Sequence, residues 1–131
     1  MWIFSPVALA LAKQPLVDEF YLSEIDQVSS GAAPMGRKLS DAVATRLNCK
    51  MLQGFGMTEL SPVQHVTPLS EPRSGSLGLA LPDTQCGIVN PDNGKNVDPG
   101  KEGKLWIKGP QVMIGYLNNG KATQETMTND G

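Results

Sequence analysis

The sequence predicts an α/β fold: the end of a parallel β-α-β layer of a larger domain, followed by a small β-rich subdomain shaped as a partial barrel. Residues 36–47 have the apolar spacing of an amphipathic helix, and short strands flank it at 27–30 and 50–53. This strand-helix-strand order predicts parallel strands joined by a right-handed crossover. From 72 to 110, glycine and proline recur every few residues, which predicts a small antiparallel sheet.

The chain is predicted to divide after residue 60. Residues 1–60 form part of an α/β subdomain and residues 61–131 a β-rich subdomain, both being pieces of one larger domain. In the second piece, the pattern predicts strands at 84–89 and 104–108. A short helix over 122–127 is expected to close it.

Two helices are predicted in the first piece. One covers 6–14 and is apolar nearly all round, with Ser5 as its N-cap and Pro6 in its first turn. The other turns one apolar face to the sheet, formed by Leu39, Ala42, Val43 and Leu47. The strand at 50–53 is predicted to stop at Gly54.

Composition argues against several classes of function. The net charge of −2 gives no reason to expect binding to nucleic acid or to an anionic membrane surface. Cys49, Cys86 and the lone His65 are too few for a four-ligand zinc site, and both thiols are expected to stay reduced in the cytoplasm. We expect His65 to be structural or exposed and not catalytic. The apolar run 7–12 is too short to span a bilayer and its basic n-region is missing, so it predicts a buried core helix and not a signal peptide.

The stretch with the most chemical content is Gln53-Gly54-Phe55-Gly56-Met57-Thr58-Glu59. Its glycines let the backbone approach a ligand closely, and Phe55 offers a flat face. Thr58 adds a hydroxyl donor, and Glu59 adds a carboxylate suited to Mg²⁺. A planar base, a phosphate and a metal ion would each find a partner here. The residues alone leave open the alternative of an ordinary glycine-rich turn between a strand and a loop.

This stretch resembles the signature Q-G-Y-G-M-T-E of 4-coumarate–CoA ligases, beetle luciferases and related acyl-CoA synthetases, which are adenylate-forming AMP-binding enzymes. Phe55 stands where most relatives carry tyrosine, and Lys104 replaces a usual glutamate. Three further phrases are similar to the family's and follow its order: Ser30-Gly31-Ala32-Ala33-Pro34, Gly103-Lys104-Leu105-Trp106-Ile107-Lys108-Gly109 and Gly115-Tyr116-Leu117-Asn118-Asn119. The resemblance covers essentially the whole chain.

The resemblance implies a ligase that uses ATP and Mg²⁺ to join a carboxylic acid, either an aryl or a fatty acid, to AMP, and then transfers the acid to coenzyme A. It implies catalytic roles for Thr58, which would bind the α-phosphate, and for Glu59, which would hold Mg²⁺. The residues implied to contact the nucleotide are Gly31, Ala32, Ala33, Gln53, Gly54, Phe55, Gly56, Met57 and Thr58. The residues implied to line the pocket for the acid are Ala32, Gln53 and Val66.

The resemblance also implies that these residues hold only part of an active site. The family's phosphate loop, ribose-binding aspartate and catalytic lysine have no match here, so the chain alone is expected to be inactive. Core surface left exposed is expected to cause dimerisation or strand exchange. Two other functions stay open: a luciferase or acyl-AMP ligase with another acceptor, and a non-catalytic module that binds a nucleotide or a partner. A peroxisomal location of the full-length parent also stays open.

Overall fold

The computed structural model describes residues 1–33 and 35–128. Pro34, which ends the phrase beginning at Ser30, and residues 129–131 lie outside this described part. The chain contains helices together with parallel and antiparallel strands, so the predicted mixed α/β class is confirmed. Within the described part, no helix is both long enough and apolar enough to cross a membrane.

The chain forms two compact units. Of the described residues, unit 1 contains those within 1–57 and 63–79, and unit 2 contains 58–62 and 80–128. The segment 63–79 belongs to unit 1, although it follows residues 58–62 of unit 2 in the chain.

The larger sheet orders its strands as they occur in the chain: β1 (Trp2–Ile3), β2 (Gln27–Ser30), β3 (Lys50–Gly56), β4 (Val63–Val66) and β5 (Leu79–Ala80). Strands β1, β2 and β3 are parallel, and β4 is antiparallel to β3. The predicted parallel pairing across the helix is confirmed, with Gln27 opposite Lys50 and Ser30 opposite Gln53.

Strand β3 continues through Gly54, so the prediction that it stops there is wrong. The physical reason is the second partner strand. Gly54 pairs with Val66 and Phe55 with His65, and these pairs extend β3 to Gly56. A register shift between Phe55 and Gly56 marks an irregularity at the end of this pairing.

Helix α1 (Ser5–Lys13) begins one residue earlier than predicted. Its N-cap is Phe4, which has extended backbone angles and gives no side-chain cap, so the assignment of Ser5 as the N-cap is wrong. Pro6 does lie in the first turn, where its missing N–H costs nothing. Only Ala8 of this helix is fully buried, and Val7 and Leu9 are nearly half exposed, so the expected buried core helix is only partly observed.

Helix α2 (Arg37–Leu47) packs its predicted face, with one correction. Val43 and Leu47 are buried, whereas Ala42 is exposed and Ser40 is buried in its place. At about 100° per residue, Ser40 lies nearer to the direction of Val43 than Ala42 does. The core of unit 1 is a cluster of seven buried side chains: Ile3, Ala8, Val28, Met35, Val43, Leu47 and Met51.

Arg46 of α2 joins the two helices. Its guanidinium donates to the carbonyl oxygens of Leu11 and Gln14 at 3.1 and 2.8 Å. It also pairs with the Asp18 carboxylate at 2.7 Å. Asp18 belongs to a short 3₁₀ helix that follows α1 at Pro15–Glu19. One planar cation therefore satisfies carbonyl groups that the end of α1 leaves without a partner in the helix.

Unit 2 contains a two-stranded antiparallel sheet and a short helix. Strand β6 (Gln85–Val89) pairs with β7 (Lys104–Lys108), which confirms both predicted strands and their antiparallel direction. Helix α3 (Gly120–Thr126) is capped by Asn119, whose side-chain oxygen accepts from the N–H of Ala122 at 3.1 Å. This helix confirms the predicted one to within two residues.

The close approach of Gly78 to β4 predicts a large effect of one added methyl group. Gly78 has a φ of +87°, and a Cβ there would overlap the carbonyl oxygen of Val66. We expect Gly78→Ala to lower the free energy of unfolding by about 1–3 kcal/mol more than Gly100→Ala. Gly100 is the matched control, because its φ is +84° and no atom lies within 4 Å of a Cβ there. Urea unfolding measures both, and equal losses would contradict the prediction.

Candidate functional site

Three adjacent strand positions bring predicted site residues of unit 1 together. Ser30, the last residue of β2, pairs with Gln53, and Gly54 pairs with Val66 of β4. Gly31 follows β2, and a Cβ on it would lie 3.6 Å from the carbonyl oxygen of Gly54. The residues predicted from separate phrases are therefore neighbours across the sheet, at the carboxyl end of β2, where parallel sheets usually bind ligands.

Gln53 is buried, and its side chain is already engaged. Its amide Nε2 donates to the carbonyl oxygen of Met35 at 3.2 Å. This bond ties the segment after β2 to β3. In that segment Ala32 and Ala33 are exposed, and Ala32 has a φ of +65°, in the left-handed region. A left-handed alanine costs about 1–2 kcal/mol, so the surrounding contacts hold strained backbone at a predicted site position.

Thr67 was missed by sequence reasoning, although it holds Gln53 in place. Its hydroxyl accepts from the Gln53 N–H at 3.2 Å and donates to the Gln53 carbonyl oxygen at 3.1 Å. The Thr67 N–H donates to the same carbonyl at 2.8 Å. No local pattern indicates this role, because the two residues are 14 positions apart and meet only when β3 and β4 pair.

Strand β4 carries two buried polar side chains beside Val66, which is half-buried. Gln64 is fully buried, and among the described residues neither atom of its amide has a hydrogen-bond partner. Nδ1 of His65 also has no hydrogen-bond partner among the described residues. His65 itself, predicted to be structural or exposed, is buried. Burial lowers the pKa of His65, so the ring is neutral at pH 7. Its ring centroid lies 6.1 Å from that of Phe55.

Thr58 and Glu59 open a short 3₁₀ helix, Thr58–Leu60, in unit 2. Thr58 is exposed. The carbonyl oxygen of Glu59 accepts from the N–H of Met113 at 2.9 Å. The Tyr116 hydroxyl donates to Oε1 of Glu59 at 2.5 Å. Tyr116 belongs to the phrase that begins at Gly115, for which the sequence predicts no catalytic or binding role.

The hydrogen bond between Glu59 and Tyr116 shifts the pKa values of the two side chains in opposite directions. The Tyr116 hydroxyl, and next the backbone N–H of Glu59, lower the pKa of the Glu59 carboxyl. The carboxylate in turn raises the pKa of the Tyr116 hydroxyl, and a hydrogen bond with Thr126 acts the other way. Glu59 therefore stays ionised across the neutral range, which suits a residue predicted to hold a cation.

Metal-binding side chains do not cluster in the described part of the chain. No group of three or more histidine, cysteine or carboxylate side chains lies together among the described residues. Glu59 alone carries the predicted metal role. That donor set fits Mg²⁺, which usually takes one or two protein carboxylates and completes its shell with water and phosphate oxygens. It does not fit a structural zinc ion, which needs four protein ligands.

Two open cavities lie away from the predicted site residues. One, of about 880 Å³, lies in unit 1 beside Gln27 and Lys50, the first residues of β2 and β3. The other, of about 530 Å³, lies in unit 2 beside Lys108 and Met113. None of the residues predicted to bind nucleotide or acid lines either cavity in the described part of the chain.

Comparison with known proteins gives a consistent result. Residues 2–117 match the family described as AMP-binding enzyme. The chain is 44% identical to the probable 4-coumarate–CoA ligase 2 of Dictyostelium discoideum, over 99% of this chain and 24% of that protein. It is 42% identical to 4-coumarate–CoA ligase 1 of Solanum tuberosum, over 96% of this chain and 24% of that protein. The chain thus spans about a quarter of the length of these relatives.

Solved structures show the same fold. The anthranilate CoA ligase AuaEII in complex with anthranoyl-AMP superposes with a TM-score of 0.87 at 20% identity, over 98% of this chain and 25% of that chain. A luciferase-like enzyme from the nonluminescent mealworm Zophobas morio gives a TM-score of 0.75 at 26% identity. That match covers 90% of this chain and 29% of the mealworm chain.

The acidity of Glu59 provides a direct test of its bond with Tyr116. Because the folded-state pKa is lowered, ionised Glu59 contributes stability at and above its ordinary pKa of about 4. That contribution is lost as the pH falls through the lowered value. We expect Tyr116→Phe to move the Glu59 pKa upward, as followed by a carbon NMR titration of the carboxyl group.

The other tyrosine supplies the control for this titration. Tyr21 is 82% exposed and lies in unit 1, whereas Glu59 lies in unit 2. Tyr21→Phe is therefore expected to leave the Glu59 pKa where it is. An unchanged Glu59 pKa in Tyr116→Phe would show that the hydrogen bond does not form in solution.

Proposed function

This chain belongs to the AMP-binding enzyme family, and we propose that it forms part of the active site of a ligase that joins an aryl or fatty acid to coenzyme A. In the first step the carboxylate attacks the α-phosphate of ATP, which forms an acyl-adenylate and releases pyrophosphate. In the second step the thiol of coenzyme A attacks the acyl carbon, and AMP leaves. The observation that carries the proposal is the 44% identity to a probable 4-coumarate–CoA ligase over 99% of this chain.

Residues of unit 1 are proposed to contact the nucleotide and the acid. Gly31 and Gly54 are neighbours and have no side chains, so backbone there is accessible to a flat ligand. Phe55 and Gly56 continue β3, and the Phe55 ring is proposed to pack against adenine. Met57 follows β3 and is exposed. A solved structure of the same fold contains anthranoyl-AMP, which supports the proposal that this fold binds an acyl-adenylate.

Gln53 is proposed to act partly by holding its neighbours. Because its amide donates to Met35, it fixes the segment that carries the exposed residues Ala32 and Ala33. These small side chains leave room for the acid, and half-buried Val66 is proposed as an apolar wall of the same pocket. Gln53 is thus proposed both to contact the ligand and to position the segment that contains Ala32 and Ala33.

Thr58 and Glu59 are proposed to act on the phosphate. The exposed Thr58 hydroxyl donates to the α-phosphate, where charge develops in the transition state. Glu59 is ionised and held by Tyr116, and it is the residue proposed to hold Mg²⁺. When bound, the ion would supply positive charge beside the phosphoryl oxygens.

The finer organisation is proposed on the same basis. Residues 1–60 are proposed to belong to the α/β AMP-binding subdomain of a larger domain, and residues 61–131 to its β-rich, partly barrel-shaped subdomain. The antiparallel β6–β7 pair supports the second assignment. The free thiols of Cys49 and Cys86 support a cytoplasmic location for the chain.

A second candidate function shares the first step and differs in the acceptor. The match to a luciferase-like enzyme, at 26% identity and a TM-score of 0.75, favours it as the alternative. In this alternative the acyl-adenylate forms in the same way, and the acid then passes to an acceptor other than coenzyme A. A non-catalytic module that binds nucleotide is a third outcome that the same experiment separates.

The test uses the full-length ligase that contains this chain, assayed with a panel of aryl and fatty acids. Acid-dependent exchange of pyrophosphate into ATP reports the first step, and loss of free thiol reports the second. Thr58→Ala combined with Glu59→Ala is expected to lower the exchange rate by about 100-fold or more, since loss of one such donor costs about 10²–10³. The 131 residues alone are expected to give no exchange above background.

Thr45→Ala is the matched control for these variants, because Thr45 is exposed on α2. It is expected to keep the wild-type exchange rate. Exchange without thiol consumption would favour the luciferase-like alternative, and nucleotide binding without exchange would favour the non-catalytic one. An undiminished rate in the double variant would overturn the assigned roles of Thr58 and Glu59.

The apolar edge of unit 1 predicts self-association of the isolated 131 residues. Strand β1 is at one end of the strand order, and Trp2 on it is 69% exposed. An unpaired apolar edge strand readily accepts another strand. Light scattering is expected to give a mass above that of a monomer, and Trp2→Lys to lower it. Leu117→Lys, at a residue that is 91% exposed in unit 2, is the control, and a monodisperse wild-type monomer would contradict the prediction.

A further inference from the structure

The loop from Met113 to Tyr116 holds Glu59 at two points. The Met113 N–H binds the main-chain carbonyl of Glu59 at 2.9 Å, and the Tyr116 hydroxyl binds its carboxylate at 2.5 Å. The first bond fixes where the residue is, and the second fixes how its side chain is turned. A glutamate side chain has several free rotamers, so a single short bond at its end removes most of that freedom.

Helix α3 fixes Tyr116 in turn. The Tyr116 N–H donates to Oγ1 of Thr123 at 3.0 Å. The same hydroxyl donates to the carbonyl oxygen of Asn119 at 3.1 Å, and Asn119 is the N-cap of the helix. The position of the tyrosine backbone therefore depends on the first turn of α3. A continuous chain of hydrogen bonds runs from Asn119 through Thr123 and Tyr116 to Glu59.

Gly115 is required by this arrangement. Its φ is +146°, and a Cβ on it would lie 3.0 Å from Cγ2 of Thr123 and 3.1 Å from Oγ1 of Thr123. A larger residue would push the loop away from the hydroxyl that binds the Tyr116 N–H. Gly115 thus permits the loop to approach Thr123 closely, and this approach allows the Tyr116 N–H to bind the Thr123 hydroxyl.

The chemistry of the donor matters as much as its position. A lysine or arginine in place of Tyr116 would hold the carboxylate but would also neutralise it. The tyrosine hydroxyl is neutral, so it orients the carboxylate and leaves its negative charge for a cation. Among the described residues Glu59 forms no ion pair, and the two ion pairs there join Arg46 to Asp18 and Lys121 to Glu125.

We infer that Tyr116 is a positioning residue, which holds the Glu59 carboxylate in the orientation that binds the magnesium ion of the ATP complex. The inference rests on the proposed function, because it needs Glu59 to meet that ion. Groups that orient a metal ligand typically contribute about 10- to 100-fold to metal affinity or activity. Tyr116→Phe removes only the hydroxyl, so we expect a loss within that range.

The experiment compares Tyr116→Phe with Tyr21→Phe in the full-length ligase. The first readout is the Mg²⁺ concentration that gives half-maximal pyrophosphate exchange, which Tyr116→Phe is expected to raise by about 10- to 100-fold. The second readout is the calorimetric affinity for ATP with Mg²⁺, which is expected to fall with it. The affinity for AMP without metal is expected to stay unchanged, and a general structural defect would lower that as well.

Two further comparisons show whether Tyr116 acts through Glu59. In Glu59→Gln, adding Tyr116→Phe is expected to cause little further loss, because the group being positioned is already gone. Thr123→Val is expected to shift the Mg²⁺ dependence in the same direction as Tyr116→Phe. Thr123→Ser keeps the hydroxyl and is expected to resemble the wild type.

The outcomes separate the inference from the function on which it rests. A wild type without acid-dependent exchange would overturn the proposed function and this inference with it. Normal exchange together with an unchanged Mg²⁺ dependence in Tyr116→Phe would overturn the inference alone. Fully additive losses in the double variant of Glu59 and Tyr116 would also overturn it, since two residues acting through one carboxylate cannot contribute independently.

Discussion

Strand β3 is the element on which the arrangement of unit 1 depends, because it has different partners along its two edges. Its first four residues pair in parallel with β2, and its last three pair in antiparallel fashion with β4. Gln53 lies where the two pairings meet, and Thr67 satisfies both its N–H and its carbonyl. Without the second pairing, Gly54 and Val66 would not be neighbours, and the strained segment at Ala32 would lose the support that Gln53 gives it through Met35.

Unit 2 is held together differently. Of the apolar side chains that are buried in the described residues, only Leu60 and Val89 belong to it. Its positions are therefore set mainly by hydrogen bonds: the β6–β7 ladder, the Asn119 cap and the bonds from Met113 and Tyr116 to Glu59. Regions with little buried apolar surface open at low free-energy cost. The hydrogen bonds of unit 2 therefore determine how well ordered its site residues are.

Prediction succeeded where one local signal was enough. The spacing of Leu39, Val43 and Leu47 gave helix α2, and the flanking apolar residues gave β2 and the start of β3. It failed where a distant segment decided the outcome. Gly54 was expected to end a strand, but β4 extends it. Ala42 was expected to be buried, but Ser40 takes that direction.

The sequence by itself determined the family, the helix and strand segments with strong periodicity, and the chemical character of the stretch from Gln53 to Glu59, because all of these depend on residue types at short spacing. Only the tertiary structure determined which groups form hydrogen bonds with those residues. Thr67 reaches Gln53 across 14 positions and Tyr116 reaches Glu59 across 57. Contacts of that length arise from strand pairing and loop closure, which no local pattern encodes.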